Sequence, residues 1–448
     1  MRGRDSHVRD VSLLLAAMGL NSLPLGYTLV VMPIYLSNIG FSGEVIGTIT
    51  AASSFGATVA LIPFAIAADR YGRKPFVVGG FLAATIAYLF FAFTRDLNSL
   101  LLAGAIGGIG LAGGFSTAVW TPAWTALLSE KTSHEKRTRA FAWSQGIWTI
   151  ALTLGSASGV LPSFLRSQLN STFFESYEYP FLIFAGISII SGLILFPVSE
   201  SKSTRRSQDE RLPRTFFPKK SRRQIAKFSA TLGIVGFASG IGIQLLSFWF
   251  RRAYGTSESV LGPWFAAAEV TSLVVVPIIP RLTKLLGSSK SVLVTQGLSA
   301  TLLASMAFAP TYQLAAMILV VRNFFMNVSW PIQQSYLMGT VTPNERASAS
   351  AITYTVWGIG SSVGPILAGY FLSQSSFLSL SAPLLIGGLA YLGAAVGFYV
   401  FFRATPPPEE IYVPSGIVHY DATSFLPSQL KPSSLSSSKN HFKFSFGS

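Results

Sequence analysis

Two opposite charges stand alone deep in apolar stretches of this 448-residue chain: Glu269 within the run 258–280 and Arg322 within 312–338. Each lies about 11 residues from the nearer polar boundary, or roughly 16 Å along a helix rising 1.5 Å per residue. An unpaired charge at that depth costs several kcal/mol, so the two are expected to approach each other. Three kinds of chemistry are open to the pair. It can be a static bridge between two helices. Its carboxyl can take up and release a proton, with Glu269 and Arg322 as the coupling groups. Or the guanidinium can leave its acid to grip a carboxylate or phosphate.

Arg322 also borders a polar column. Asn323, Asn327, Trp330 and Gln334 recur at i, i+4, i+7 and i+11, and Arg322, Met326, Ser329 and Gln333 form the adjoining column. Shorter stripes are Asn21, Thr28 and Tyr35; Gln244 and Ser247; and Thr117, Thr121 and Trp124. Such spacing inside an apolar run marks either a face that meets water and solute or hydrogen bonding between helices. Trp120, Trp148 and Trp357 suit packing better than binding.

Other chemistry is poorly provided for. There is no cysteine, and His7, His134, His419 and His441 are scattered, which leaves no metal cluster and no thiol catalysis. No Gly-x-x-x-x-Gly-Lys-Ser/Thr loop occurs, so nucleotide drive within this chain is not expected. Paired acids or a nucleophile with its base are also missing from the apolar runs. The reading is of a chain that is not an enzyme and takes no cofactor.

The elements that must position these residues follow from composition. Half of the residues are apolar, 11% are charged and the mean hydropathy is +0.50. A soluble domain carries about 25% charged residues, so most of this outer surface belongs in lipid. Twelve runs are long enough to span, near 11–36, 45–67, 75–94, 98–127, 140–164, 180–198, 226–249, 258–280, 291–309, 312–338, 348–372 and 381–402. They are numbered spans 1 to 12 below. An even count puts both termini on one side.

Charge orients them. With the N-terminus inside, 28 of the 33 Lys and Arg fall on cytoplasmic segments; Arg95, Arg166, Arg251 and Arg252 fall outside, and Arg322 within a span. The net charge of +15 thus reads as topology and not as a nucleic-acid surface. The segments are a cytoplasmic N-terminus 1–10, a six-helix half 11–199, a basic linker 200–224, a second half 225–403 and a cytoplasmic tail 404–448 without helical periodicity.

The halves are related. A shift of 209 residues aligns Phe115 with Phe324, Pro122 with Pro331, Arg137 with Arg346, Trp148 with Trp357 and Gly155 with Gly364, among ten identities in 41 positions. An all-α membrane protein of two pseudo-symmetric six-helix halves follows, with its solute site near the bilayer midplane between them.

Between spans 2 and 3 the chain reads Ala65-Ile-Ala-Ala-Asp69-Arg70-Tyr71-Gly72-Arg73-Lys74. This resembles the Gly-x-x-x-Asp-Arg-x-Gly-Arg-Lys loop of the major facilitator superfamily, with Ala65 in place of the first glycine, and the resemblance covers roughly 10–403. It implies that spans 1, 4, 7 and 10 line a central cavity, which is where the polar stripes fall. It also implies that Asp69 sits at the positive start of span 11, near Ala347, as a conformational latch with Arg70, Gly72, Arg73 and Glu130; Glu130 is the candidate partner of Arg70 or Arg73. The second half keeps only Leu282-Thr283-Lys284-Leu285-Leu286-Gly287, without the acid. Two departures take support from drug-type exchange: Gly159 is followed by Val160 where the antiporter-type motif carries Gly-Pro, which points toward uptake, and span 4 lacks the mid-span arginine of many proton-coupled members.

The function expected is secondary active transport of a small organic solute by alternating access, with protons as the candidate coupling ion and symport as the candidate mode. The candidate substrate contacts are Asn21, Thr28, Tyr35, Thr121, Trp124, Gln244, Arg322, Asn323, Asn327 and Gln334. The alternatives are a uniporter without ion coupling and a non-transporting membrane receptor or scaffold on the same fold. The partners expected are the lipid bilayer and the solute, with no nucleic acid, for a monomer in the plasma membrane with both termini cytoplasmic.

Overall fold

The computed structural model describes residues 2–110, 113–132, 134–199, 220–342 and 345–404, and every element among them is helical. Most of the linker 200–224 and of the tail 404–448 lies outside the described residues. Long apolar runs with capped ends explain the pattern, since in lipid every backbone group must be bonded within its own segment. Ser42, Asp96, Thr311 and Ser376 each cap a helix by accepting an N–H three residues on.

Each of the twelve intervals falls on a helix or a broken helix. Span 1 is Arg2–Asn38, span 2 Gly43–Tyr71, span 3 Lys74–Phe93 and span 6 Glu175–Ile194. Span 9 is Ser288–Met306, span 10 Tyr312–Thr340, span 11 Arg346–Ser373 and span 12 Phe377–Phe402. The others are interrupted. Span 4 is Leu97–Gly107 and Gly114–Lys131, span 5 is His134–Ala157 continued by Leu161–Gln168, span 7 is Arg222–Gly242 and Leu246–Tyr254, and span 8 is Glu258–Val275 with Ile279–Leu286 bent away by 62°.

Among the described residues nine helices are long and apolar enough to cross a membrane, or ten with the bent pair as one span. Two intervals fall short of that measure for visible reasons. Span 4 is divided by glycines. Span 9 carries a polar stripe, Ser291, Thr295, Gln296 and Ser299, that is buried inside its half.

The break in span 4 is built by backbone. Gly108, Gly110 and Gly113 all have positive φ, which side-chain-bearing residues rarely adopt. The freed amides find partners on neighbouring spans: Ile109 N–H donates to Ser53 Oγ at 2.6 Å and Gly110 N–H to Thr28 Oγ1 at 3.1 Å. An unwound segment in a membrane interior persists only when re-bonded in this way.

At the termini side, ion pairs and hydrogen bonds tie span ends together within each half. Lys131 meets Asp10 at 3.2 Å and Ser199 at 2.9 Å, joining the start of span 1 to the ends of spans 4 and 6. Lys227 donates to the Phe401 carbonyl, joining spans 7 and 12. Large apolar residues such as Phe196, Leu378 and Leu389 stay exposed on the outer faces, as lipid contact requires. The repeat is visible as well: the helix ending at Lys131 has its counterpart, 209 residues on, in the helix ending at Thr340.

Candidate functional site

The two halves meet along spans 2 and 11 and along spans 5 and 8. Close backbone approach runs down the first seam. A Cβ on Gly43 would sit 2.6 Å from the Gly369 carbonyl oxygen, one on Gly47 2.3 Å from that of Pro365, and one on Gly358 2.2 Å from Thr58 Oγ1. Along the second seam, Gly159 and Gly262 face each other and Ser272 donates to Thr149 at 3.3 Å.

Polar bonds close the end remote from the termini. Glu258, at the start of span 8, accepts from Arg166 at 3.1 Å and from the Tyr177 hydroxyl at 2.8 Å. Arg251 donates to Asn38 at 3.4 Å, and Asn38 donates to Tyr177 at the same separation. Ser247 donates to the Leu29 carbonyl, and Gln244 joins Ser54 of span 2 to the Ser361 carbonyl of span 11. These groups bridge the halves. The ones carrying charge, Glu258, Arg166 and Arg251, were not candidates from sequence, because a charge beside a span end looks like any exposed loop charge.

Among the described residues, the ion pairs at the termini end join groups of one half. Arg73 meets Asp69 at 3.1 Å and Glu130 at 3.2 Å, all in the N-terminal half. Arg70 lies over the ring of Tyr71, and Gly72 turns the chain with φ 109°. The Asp69 side chain is 67% exposed and bonds only Arg73 among the described residues. Among the described residues Asp69 makes no bond to span 11, and the side chain of Ala347, its expected neighbour, lies outside them. In the second half, Glu345 accepts from the amides of Lys220 and Ser221 and from Thr342. Although desolvation works the other way, those bonds to its charged form hold the Glu345 carboxyl down to about 2.

The intramembrane charges are not joined. Arg322 is 3% exposed; its Nη1 donates to Asn323 Oδ1 at 3.2 Å and its guanidinium lies 5.1 Å from the centre of the Tyr391 ring on span 12. Its Nε and Nη2 have no hydrogen-bond partner. Glu269, half-buried on span 8, has no ion pair or side-chain hydrogen bond among the described residues, though Arg322 acts on it through space. The expected close pair is corrected: the rotation of span 10 turns Arg322 toward spans 9 and 12.

That rotation separates the two columns of span 10. Asn323, Asn327, Trp330 and Gln334 are half-buried. Asn327 donates to Thr271, two residues from Glu269, and Trp330 stands edge-on to Tyr354 and Trp357 of span 11. Ser329 and Gln333, by contrast, are buried against Gln296 of span 9, with Gln333 donating to Gln296 Oε1 at 2.7 Å. Gln296 in turn donates to the Tyr391 carbonyl.

Other candidates are packed away here. Asn21, Thr28 and Tyr35 are all buried; Thr28 holds the span 4 break, Tyr35 stacks on Tyr177 and Phe181, and Asn21 Oδ1 has no partner. Trp124 is buried, with its indole N–H on the Leu14 carbonyl. Gln244 is buried in the seam between halves. Thr121 is half-buried, its hydroxyl without a partner. Half-buried polar residues on spans 8 and 10 are thus Glu269, Thr271, Asn323, Asn327 and Gln334, with Asn327 joined to Thr271.

The family model described as Major Facilitator Superfamily matches residues 14–252 and 228–418. The tetracycline resistance protein, class H, of Pasteurella multocida is 23% identical over 359 residues, covering 77% of this chain and 84% of its own. The multidrug resistance protein MdtG of Proteus mirabilis is 22% identical over 387 residues, covering 84% and 90%. Among solved structures, a bacterial homologue of the human lysosomal transporter Spinster, in its inward-facing and unoccupied conformation, superposes with a TM-score of 0.70 at 17% identity over 92% of this chain and 99% of that one.

Proposed function

This chain belongs to the major facilitator superfamily of membrane transporters, and on that premise we propose that it carries a small organic solute by alternating access, coupled to protons through Glu269. One observation carries the reading: the halves are bonded across the end remote from the termini, at Glu258, Arg166 and Tyr177, while at the other end Asp69, among the described residues, bonds only Arg73 of its own half. One end shut and the other parted is one of the two arrangements that rocking of halves requires. By the positive-inside rule the parted end is cytoplasmic, so this conformation is inward-facing.

Glu269 suits proton coupling because it is an acid at mid-membrane depth with no side-chain bonding partner among the described residues, on a span that contacts the other half one turn away through Ser272 and Thr149. A carboxyl so placed is neutral or charged according to whether water reaches it and whether Arg322 swings toward it. The resistance proteins among the relatives favour export of the solute, against the uptake suggested by the missing Gly-Pro in span 5. An Arg322 with two unengaged nitrogens supports a solute bearing a carboxylate or phosphate.

Reconstitution tests the proposal. Wild-type and Glu269→Gln proteins are placed in liposomes with a pH-sensitive dye inside, and sugars, amino acids, carboxylates and cationic drugs are added in turn. Solute-driven proton flux in the wild type that disappears in the variant is the expected result, and the sign of the dye response separates exchange from co-transport. Solute movement with no proton flux in either protein would refute coupling and leave uniport. Movement of no solute in any direction would favour a receptor or scaffold.

A further inference from the structure

Span 4 of the N-terminal half is broken at 108–113, and span 7 of the C-terminal half at 243–245. Neighbouring residues of spans 1 and 2 hold both breaks. On span 2, Ser53 accepts the Ile109 amide of the first break, and the next residue, Ser54, donates to Gln244 Oε1 in the second at 3.2 Å. On span 1, Thr28 accepts the Gly110 amide, and the carbonyl of the next residue, Leu29, accepts from Ser247 just past the second break at 3.2 Å. Each consecutive pair thus bonds its own half with one residue and the opposite half with the other. The side chains of Thr28, Ser53, Ser54, Gln244 and Ser247 are all buried, so water does not compete for these bonds.

Prolines open the acceptors. Pro33 has no N–H to give the Leu29 carbonyl four residues back, and Pro365 leaves the Ser361 carbonyl of span 11 open in the same way. Ser247 fills the first from across the halves, and Gln244 Nε2 fills the second at 3.3 Å. The span 4 break also packs on Leu29 itself, since a Cβ on Gly110 would stand 3.2 Å from Leu29 Cα.

We propose that these bonds form one joint, through which parting of the halves at the end remote from the termini rearranges the span 4 break. Residues 28–29 and 53–54 lie on continuous helix, so each pair moves as a unit. When Leu29 and Ser54 lose span 7, Thr28 and Ser53 shift with them, and the amides of Ile109 and Gly110 lose the hydroxyls that hold them. An unwound segment re-bonded by side chains is the part of the bundle that yields at least cost. The joint presupposes the rocking of the halves proposed above, and it stands whether or not Glu269 couples protons.

The test takes two readings on the full chain in lipid nanodiscs. The chain has no cysteine, so spin labels at Leu169→Cys and Leu378→Cys, both exposed at the end remote from the termini and on opposite halves, report the distance across that end. Hydrogen exchange of the peptide covering 107–114 reports the break. Ser54→Ala is expected to raise the ratio of long to short label distances roughly fivefold, the worth of one buried hydrogen bond. It should speed exchange of that peptide by the same factor, although Ser54 bonds neither Ile109 nor Gly110. Ser53→Ala removes a bond wholly within the N-terminal half, yet by reciprocity it should also lengthen the label distance. Ser191→Ala, which removes a buried hydroxyl bonded along its own helix, should change neither reading. Unchanged exchange at 107–114 in Ser54→Ala, or unchanged label distances in either variant while Glu258→Gln lengthens them, would overturn the joint. A label distance that no variant alters, Glu258→Gln included, would overturn the rocking of the halves and the joint with it.

Discussion

Glu258 and Arg166 join the two halves of the molecule, carboxylate to guanidinium at 3.1 Å, with the Glu258 side chain only 2% exposed and that of Arg166 32% exposed. Both sit at span ends, on spans 8 and 5, where the seam is otherwise held by small residues in backbone contact. The pair is thus a polar fastening on an apolar hinge.

Glu258→Gln should release that fastening. Stranding one partner of a buried pair costs about 3–5 kcal/mol, but water reaches Arg166, so a shift of about 1–2 kcal/mol toward the opened form is expected. The chain has no native cysteine, which allows a single reporter to be placed by Ser247→Cys, buried behind the pair. Maleimide labelling of that cysteine should quicken roughly tenfold when Glu258→Gln is added. An unchanged labelling rate with a lowered melting temperature would make the pair a structural tie only.

Two glycines separate gating from folding. A Cβ on Gly47 would lie 2.3 Å from the Pro365 carbonyl across the halves, whereas one on Gly236 would lie 2.1 Å from the Trp357 carbonyl within the C-terminal half. Gly236→Ala should therefore lower thermal stability by about 1–3 kcal/mol, the usual range for overpacking. Gly47→Ala should leave the melting temperature nearly unchanged, because the halves can part, and should raise Ser247→Cys labelling instead. A matched loss of stability in both variants would contradict this division.

Asp69→Asn tests the latch expected at the start of span 11. Asp69 is mostly exposed and, among the described residues, bonds only Arg73, so its loss should move the melting temperature by about 1 °C or less. Transport in liposomes should still fall, roughly tenfold, because the outward-facing form would lose its fastening. Unimpaired transport would remove Asp69 from the cycle.

Glu345 predicts an acid limb of stability. Its carboxyl is held at about 2 by amides and hydroxyls that prefer the charged form. A folded value below the unfolded value of about 4.3 means that the unfolded chain binds the proton first as pH falls. The stabilisation is complete at neutral pH and is lost progressively from about pH 4 down through pH 2. Glu345→Gln should melt lower than wild type at pH 7, and the gap should close toward pH 2. A gap that stays constant with pH would assign the effect to shape and not to charge.

Much of the architecture was legible before any coordinates. Each of the twelve apolar intervals falls on a helix or a broken helix, because length and hydropathy are local quantities and a backbone in lipid has few alternatives to the helix. The 209-residue repeat and the Asp69–Lys74 loop were equally local, being identities and spacings along the chain. The glycine-rich run from Gly107 to Gly114 carried a signal of the span 4 break that its apolar content masked.

Partners across helices were another matter. Asn21, Thr28, Tyr35 and Trp124 form stripes suited to a wet face, yet they are buried against spans 4, 5 and 6 or the start of span 1. Glu269 and Arg322 were paired on depth alone, but a helix turns about 100° per residue, and one step along span 10 separates the open Asn323 from the buried Arg322. The repeat gives the sharpest instance: 209 residues before Arg322 stands Gly113, in the break of span 4, so equivalent places hold a charge in one half and an unwound turn in the other. Sequence by itself determined which segments are helical and how the halves correspond, but not where spans 4, 7 and 8 break. Tertiary structure decided which face of each helix meets which neighbour, since that depends on the rotation and approach of separate helices, set jointly by all the side chains packed between them.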